Sequence, residues 1–279
     1  MKKKILSLCL VMALAAVAVV GGTLAYFTDT DSAKNVMTTG DVSIIQNEKE
    51  RNEDGELVDF TDGKPLYPAV GDNNGDGKLD VPYDDAGNKM FSNDRNVVDK
   101  IITVTNNGTN DAYVRTLIAF EIPEAPADFA GATLTKQDEN GDVVATYVDV
   151  VNVAPYLFTV MKEGATAGKS YTLPQEANGD YVIIEVDNVA YLVTEYYYKN
   201  DSKLTPSEES HQSLVQIYLS SEATNEDAAL VVGADGNYNI LAVSQGVQTM
   251  GFNDAKTALD TAFGEVNAEN CAEWFATVE

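Results

Sequence analysis

The run Asp72-Asn73-Asn74-Gly75-Asp76-Gly77-Lys78-Leu79-Asp80 carries the sharpest chemical signal in the chain. Side-chain oxygens recur at loop positions one, three, five and nine (Asp72, Asn74, Asp76, Asp80), Gly77 stands at six, and the backbone carbonyl of Lys78 falls at seven. That is how a calcium loop opens, because Ca²⁺ gathers several hard oxygen ligands around a sharp glycine turn. The closing acid of an EF-hand is missing: Tyr83 occupies position twelve, Asp84 comes one residue late, and neither flank has helical periodicity. Two readings follow. One is a freestanding loop that binds calcium at an extracellular-type affinity of roughly 10⁻⁴ to 10⁻³ M; the other is a solvated acidic loop.

Other chemistry has little material. The chain has one histidine, His211, set in Glu208-Glu209-Ser210-His211-Gln212, a polar approach to a strand. A Ser-His-Asp triad would have to use that residue, and a lone histidine in such a place reads as a surface or turn residue. With 44 acidic residues, paired-carboxylate hydrolysis has candidates in plenty, but no spacing selects a pair. Tyr196-Tyr197-Tyr198 offers two faces of a strand, readable as a sugar-stacking platform or as one core tyrosine flanked by amphipathic surface ones. Arg115, inside an apolar strand, calls for an acidic partner and reads as structural.

Residues 1–25 carry an address rather than a fold. Lys2, Lys3 and Lys4 precede an apolar run from Ile5 to Val20, followed by Gly21-Gly22-Thr23-Leu24-Ala25, the pattern of a secretory signal peptide. The run is shorter than the roughly 20 apolar residues of a spanning helix. Cleavage between Ala25 and Tyr26 leaves 254 residues with a formal charge of −29. Cys9 departs with the signal, so Cys271 remains alone and no intramolecular disulfide can form. Signal peptidase is thus an expected partner during export, and the expected location is outside the cell. An acidic balance of 44 against 18 basic residues excludes nucleic acid, whose phosphates are bound by Lys and Arg.

The elements that must position these residues are strands. Runs rich in β-branched and aromatic residues are Val97–Thr105, Ala112–Ile122, Val143–Val150, Tyr181–Val186, Val189–Lys199, Leu214–Leu219 and Tyr238–Val247. Asn106-Asn107-Gly108 predicts a tight hairpin turn between the first two, and Gly179-Asp180 and Asp187-Asn188 bracket another pair. The fold expected is all-β, a jelly-roll-like antiparallel β-sandwich spanning 26–250. Within it, 46–96 reads as an acidic, turn-rich insertion. A short C-terminal helical tail occupies 251–279: Asn253 to Phe263 with Asn253 as N-cap, then a second stretch from Ala268 to Phe275. Trp274 and Phe275 are expected to fold back onto the sandwich.

Two blocks of sequence resemble a known family. Gly21-Gly22-Thr23-Leu24-Ala25-Tyr26-Phe27-Thr28-Asp29, followed by Gly40-Asp41-Val42-Ser43-Ile44, is similar to the N-terminal region of the TasA/CalY (camelysin) family of secreted Gram-positive proteins. The second block is Ile101-Ile102-Thr103-Val104-Thr105-Asn106-Asn107-Gly108-Thr109, running into Asp111-Ala112-Tyr113-Val114-Arg115. The resemblance implies a jelly-roll subunit of extracellular biofilm-matrix fibres, cut by a dedicated signal peptidase. The freed segment Tyr26, Phe27, Thr28 and Asp29 would add as a strand to the next subunit, with other matrix proteins or surface glycans as further partners; the alternative is that Tyr26 to Val36 pairs within its own subunit or stays disordered. The acidic insertion and the C-terminal helices are departures from the family pattern.

Part of that family has been described as metalloprotease, which would need about three protein ligands for a catalytic zinc. Here only His211 and Cys271 are available besides carboxylates, and there is no His-Glu-x-x-His. The sequence therefore predicts a non-enzymatic fibre protein, with calcium as its one candidate cofactor. Two alternatives come from other classes: a monomeric cell-surface module binding glycan or protein, and a secreted peptidase of the camelysin type.

Overall fold

The computed structural model describes residues 28–31, 42–52, 54–66, 98–138, 140–150, 157–160, 171–198, 203–219, 223–232 and 237–277. Elements are numbered in chain order. One antiparallel sheet has the order β1 (Thr28–Asp31), β13 (Ile240–Gln248), β5 (Ala112–Glu121), β11 (Val189–Tyr197), β10 (Ile183–Val186), with β9 (Tyr171–Thr172) also on β11. The other has the order β3 (Leu57–Asp59), β2 (Ile44–Arg51), β4 (Val98–Asn106), β12 (Leu214–Leu219), β8 (Leu157–Val160). A separate ribbon pairs β6 (Thr133–Gln137) with β7 (Val143–Val148). The helices are α1 (Asn225–Val231), α2 (Ala255–Phe263) and α3 (Ala268–Phe275).

The protein is an all-β sandwich. Ile102, Leu214, Ile217 and Leu219 of one sheet meet Ile118, Phe120, Ile183, Leu192 and Ala242 of the other in a shared core, with Leu134 and Tyr147 of the ribbon alongside. Burial of each such side chain contributes about 1.5–3 kcal/mol. The outer face of the first sheet is covered too. Leu117, Ala119, Tyr191, Val193 and Val243 pack with Cys271 and Phe275 of α3. Tyr113 and Val247 pack with Ala255, Ala258 and Leu259 of α2. All ten residues of β5 are consequently buried. Its run of apolar side chains at both odd and even positions is what a strand covered on two faces requires.

Several expectations need correcting. Asn106-Asn107-Gly108 does not close a hairpin, because β4 and β5 lie in different sheets. Asn106 instead directs the chain from one layer to the other. Its Oδ1 accepts the Gly108 N–H at 2.9 Å, while its Nδ2 donates to the carbonyls of Asn110 (2.8 Å) and Leu204 (2.9 Å). Polar sequence beyond Gln46 is not loop throughout. β2 continues to Arg51 and β3 follows, because Asn47, Lys49 and Arg51 are bonded to Thr105 (2.9 Å), Asp59 (2.5 Å) and Asp99 (2.6 Å) rather than needing a hydrophobic face.

The second turn is a true hairpin. Asp187 and Asn188, with φ of 51° and 65°, join β10 to β11 in the left-handed conformations that two-residue loops demand. The cap of α2 lies one residue later than expected: Asp254, not Asn253, accepts the Thr257 N–H at 2.7 Å. Gly264, at φ 101°, closes that helix. α3 spans Ala268–Phe275 as expected, capped by Asn267, and Phe275 is fully buried.

Candidate functional site

The margin of the first sheet is where the expected polymerisation segment meets the folded core. Thr28 and Asp29 belong to β1, which pairs antiparallel with β13 of the same chain, the arrangement in which the segment joins its own subunit: Thr28 opposite Val247, Asp29 opposite Gly246, Thr30 opposite Gln245, Asp31 opposite Ser244. Among the described residues, β13 is the only ladder partner of β1. Tyr26 and Phe27 lie outside the described residues, as do Ala25 and the calcium-loop residues Asp72, Asn74, Asp76, Lys78 and Asp80.

The four receiving residues on β13 are each held from one side of the sheet. Ser244 Oγ donates to Gln46 Oε1 of β2 at 2.7 Å and lies 3.0 Å from Thr116 Oγ1. Gly246 approaches Ile44 of β2 so closely that a β-carbon would stand 2.7 Å from Ile44 Cγ2. A glycine inside a strand signals such an approach, and Gly246 is the one residue of this row that the sequence could have flagged. On the opposite face, Gln245 Oε1 accepts from Arg115 Nε at 2.7 Å, and Val247 packs with Ala255, Ala258 and Leu259.

Arg115 is the hub beneath the helices. It is fully buried, and its guanidinium also donates from Nη1 to Asp260 Oδ1 at 2.7 Å and to Glu195 Oε1 at 3.5 Å. Nη2 donates to the Gly264 carbonyl at 3.0 Å, and the Trp274 ring lies 5.2 Å from Cζ. One planar fork thus ties β5 to β11, β13, α2 and α3, a geometry that lysine could not reproduce. Such a buried pair is by itself weak evidence for net stability, since desolvation offsets much of its attraction. Tyr197 donates to Glu195 at 2.7 Å, and burial together with that carboxylate raises the phenol's pKa. Burial pushes the Cys271 thiol up to about 12.

The tyrosine triplet is arranged differently from both sequence readings. Tyr196 and Tyr198 are buried and Tyr197 is half-buried, so no stacking platform faces solvent. Tyr198 donates to Glu208 at 2.6 Å and its ring lies 5.7 Å from that of His211. Ser210 Oγ accepts the Val104 N–H at 2.9 Å and donates to the His211 carbonyl at 2.8 Å. These contacts use the segment to hold the 203–211 loop against β4. Among the described residues, no group of three or more His, Cys, Asp or Glu is placed to hold a metal ion.

No family model, curated protein or solved structure matches the chain.

Proposed function

We propose that the chain is an exported structural protein that forms or joins extracellular matrix fibres by addition of its N-terminal segment, as a strand, to a neighbouring subunit. The observation that supports this reading is the position of β1: four residues, at the margin of the sheet, laddered to β13 of its own chain and so exchangeable for the same segment of another copy. A marginal strand with one partner can be replaced by the same strand of another copy without disturbing the rest of the sheet, since main-chain hydrogen bonds supply the affinity. The contact is head to tail, so a rotation that does not close builds an open filament. The signal-like residues 1–25 supply export, and cleavage before Tyr26 frees the segment. Calcium bound at Asp72–Asp80 and a lowered negative charge would both favour assembly. No catalytic step enters this reading.

Electron microscopy of the chain beginning at Tyr26, beside one lacking Tyr26 to Val36, tests it. Filaments from the first and none from the second are expected. A strictly monomeric first form, in acid and in calcium, would overturn the proposal and favour a monomeric surface-binding module.

A further inference from the structure

The row that pairs with β1 is also the row on which the C-terminal helices rest. Of its four residues, Gln245 is gripped by Arg115, whose other donors are held by Glu195 of β11 and by Asp260 and Gly264 of α2 and its cap. Val247 is packed by Ala255, Ala258 and Leu259 of the same helix. We infer that α2 is a positioning clamp for the N-terminal strand. It fixes Gln245 and Val247, two of the four β13 residues paired with β1, so that docking of the helix and occupancy of the strand slot are coupled. This inference rests on the reading of β1 as the exchangeable strand, and the slot's second occupant is the same segment of another copy of this chain.

The coupling has a physical route. Ser244 and Gly246 are set by β2, through Gln46 and Ile44, and keep their places whether or not the helix is docked. Gln245 and Val247 share the ladder of β13 with β5, opposite Arg115 and Tyr113, and their side chains on the outer face are braced by Arg115 and α2. When α2 lifts, the outer-face side chains of Gln245 and Val247 lose their bracing, the β5–β13 ladder is less firmly held at those residues, and a strand pairing there gains a weaker ladder. Linkage makes the effect reciprocal: whatever factor α2 docking adds to strand binding, strand binding adds to α2 docking. Arg115 is a positioning residue in this scheme, acting through Gln245.

Hydrogen–deuterium exchange on unassembled chain running from Tyr26 to Glu279 tests the inference. In Asp260→Ala, exchange in Thr28–Asp31 should accelerate about tenfold, a typical coupling between sites, while β4 and β12 keep their rates. Asp260→Asn retains an acceptor for Arg115 Nη1 and should restore slow exchange. Lys256→Ala removes only the exposed partner of Asp260 (2.5 Å) and should change nothing at β1. In the reverse direction, a chain lacking Tyr26 to Val36 should exchange faster in α2. Unchanged β1 rates beside a frayed α2 would overturn the coupling, as would equal acceleration of every strand. Because exchange is read in the monomer, coupling without filaments would remove the fibre reading and leave the clamp standing.

Discussion

Ile44 fills the space that a side chain on Gly246 would need: a β-carbon there would lie 2.7 Å from Ile44 Cγ2 and 3.2 Å from Cδ1. The two residues belong to different sheets and stand at opposite ends of the chain. Their contact fixes how closely β2 passes over β13, and so sets the depth of the sandwich beside the β1 slot.

Gly246→Ala should therefore destabilise the fold by about 1–3 kcal/mol, the range for overpacking a filled core. Ile44 is almost fully buried and its Cγ2 cannot swing away. Ile44→Ala in the same chain should recover part of the loss, giving a non-additive double-mutant cycle. Urea denaturation of the four proteins checks this, and additive costs would show that the two residues do not share the space.

Arg115→Met should cost about 3–5 kcal/mol, because it leaves the carboxylate of Glu195 buried without its cation and takes from Asp260 its buried partner, leaving only the exposed Lys256. Arg115→Lys should recover little, since one ammonium cannot reach Gln245, Asp260 and the Gly264 carbonyl together. Thermal unfolding followed by circular dichroism measures both. A Lys variant as stable as the parent would mean that charge alone matters there.

Cys271 should be unreactive while the protein is folded. Burial holds its pKa at about 12, above the ordinary 9.0, so the nucleophilic thiolate is absent at neutral pH. A maleimide reagent should label the chain from Tyr26 once per molecule in denaturant and not before. The same shift acts on stability. The group's contribution is complete below about pH 9, where the thiol is protonated in both states, and is lost as the pH rises toward 12, because the unfolded chain ionises first. Tyr197 and Tyr238, whose pKa values burial raises above 10.0, act in the same direction at higher pH. The denaturation midpoint should fall between about pH 8 and about pH 10.5, and fall less in Cys271→Ala.

Calcium titrated calorimetrically into the chain from Tyr26 should release or absorb heat with a dissociation constant of roughly 10⁻⁴ to 10⁻³ M. Asp76→Ala should abolish the signal. Absence of heat in the parent would leave Asp72–Asp80 as a solvated acidic loop.

On the proposed fibre reading, assembly should quicken as the pH falls toward the carboxylate range, the full sequence having a pI of about 4.1. A chain carrying −29 at neutral pH repels its own copies, and salt at physiological strength screens that repulsion beyond about 8 Å. Light scattering against pH and salt measures it; rates indifferent to both would separate assembly from charge.

Much of the fold was legible because burial leaves a composition mark. Leu214–Leu219 is bounded in the structure as the sequence suggests, and Ala112–Glu121 and Val189–Tyr197 differ only at their ends. What escaped was written in pairings rather than in patterns. The polar half of β2 is a strand because Thr103, Thr105, Asp59 and Asp99 lie beside it, and no local rule reveals such neighbours. Asn106-Asn107-Gly108 has the residues of a hairpin turn, yet the Leu204 carbonyl that Asn106 binds comes from a loop nearly a hundred positions on.

α1 has a local signature in its sequence: Thr224 and Asp227 form a capping box, the Thr224 side chain accepting from Asp227 N at 3.2 Å and Asp227 accepting from Thr224 N at 2.8 Å. In the candidate site, Arg115 could be read as needing an acid. The choice among so many acids was made by tertiary packing, which brings Asp260 of α2 and Glu195 of β11 to it.

The pairing of β1 with β13 also sets an order of events in time. A chain that leaves a ribosome or a membrane channel from its N-terminus presents Thr28–Asp31 early, whereas Ser244–Val247 arrives near the end and the helices that follow it arrive last. Through most of that passage the leading segment has no strand of its own to join. Contacts so distant in sequence form slowly, and in the interval the segment is available to any finished neighbour whose margin is open. On the proposed strand exchange, whether a molecule completes itself or extends another is a contest between two clocks, the emergence of its own last residues and the arrival of a neighbour.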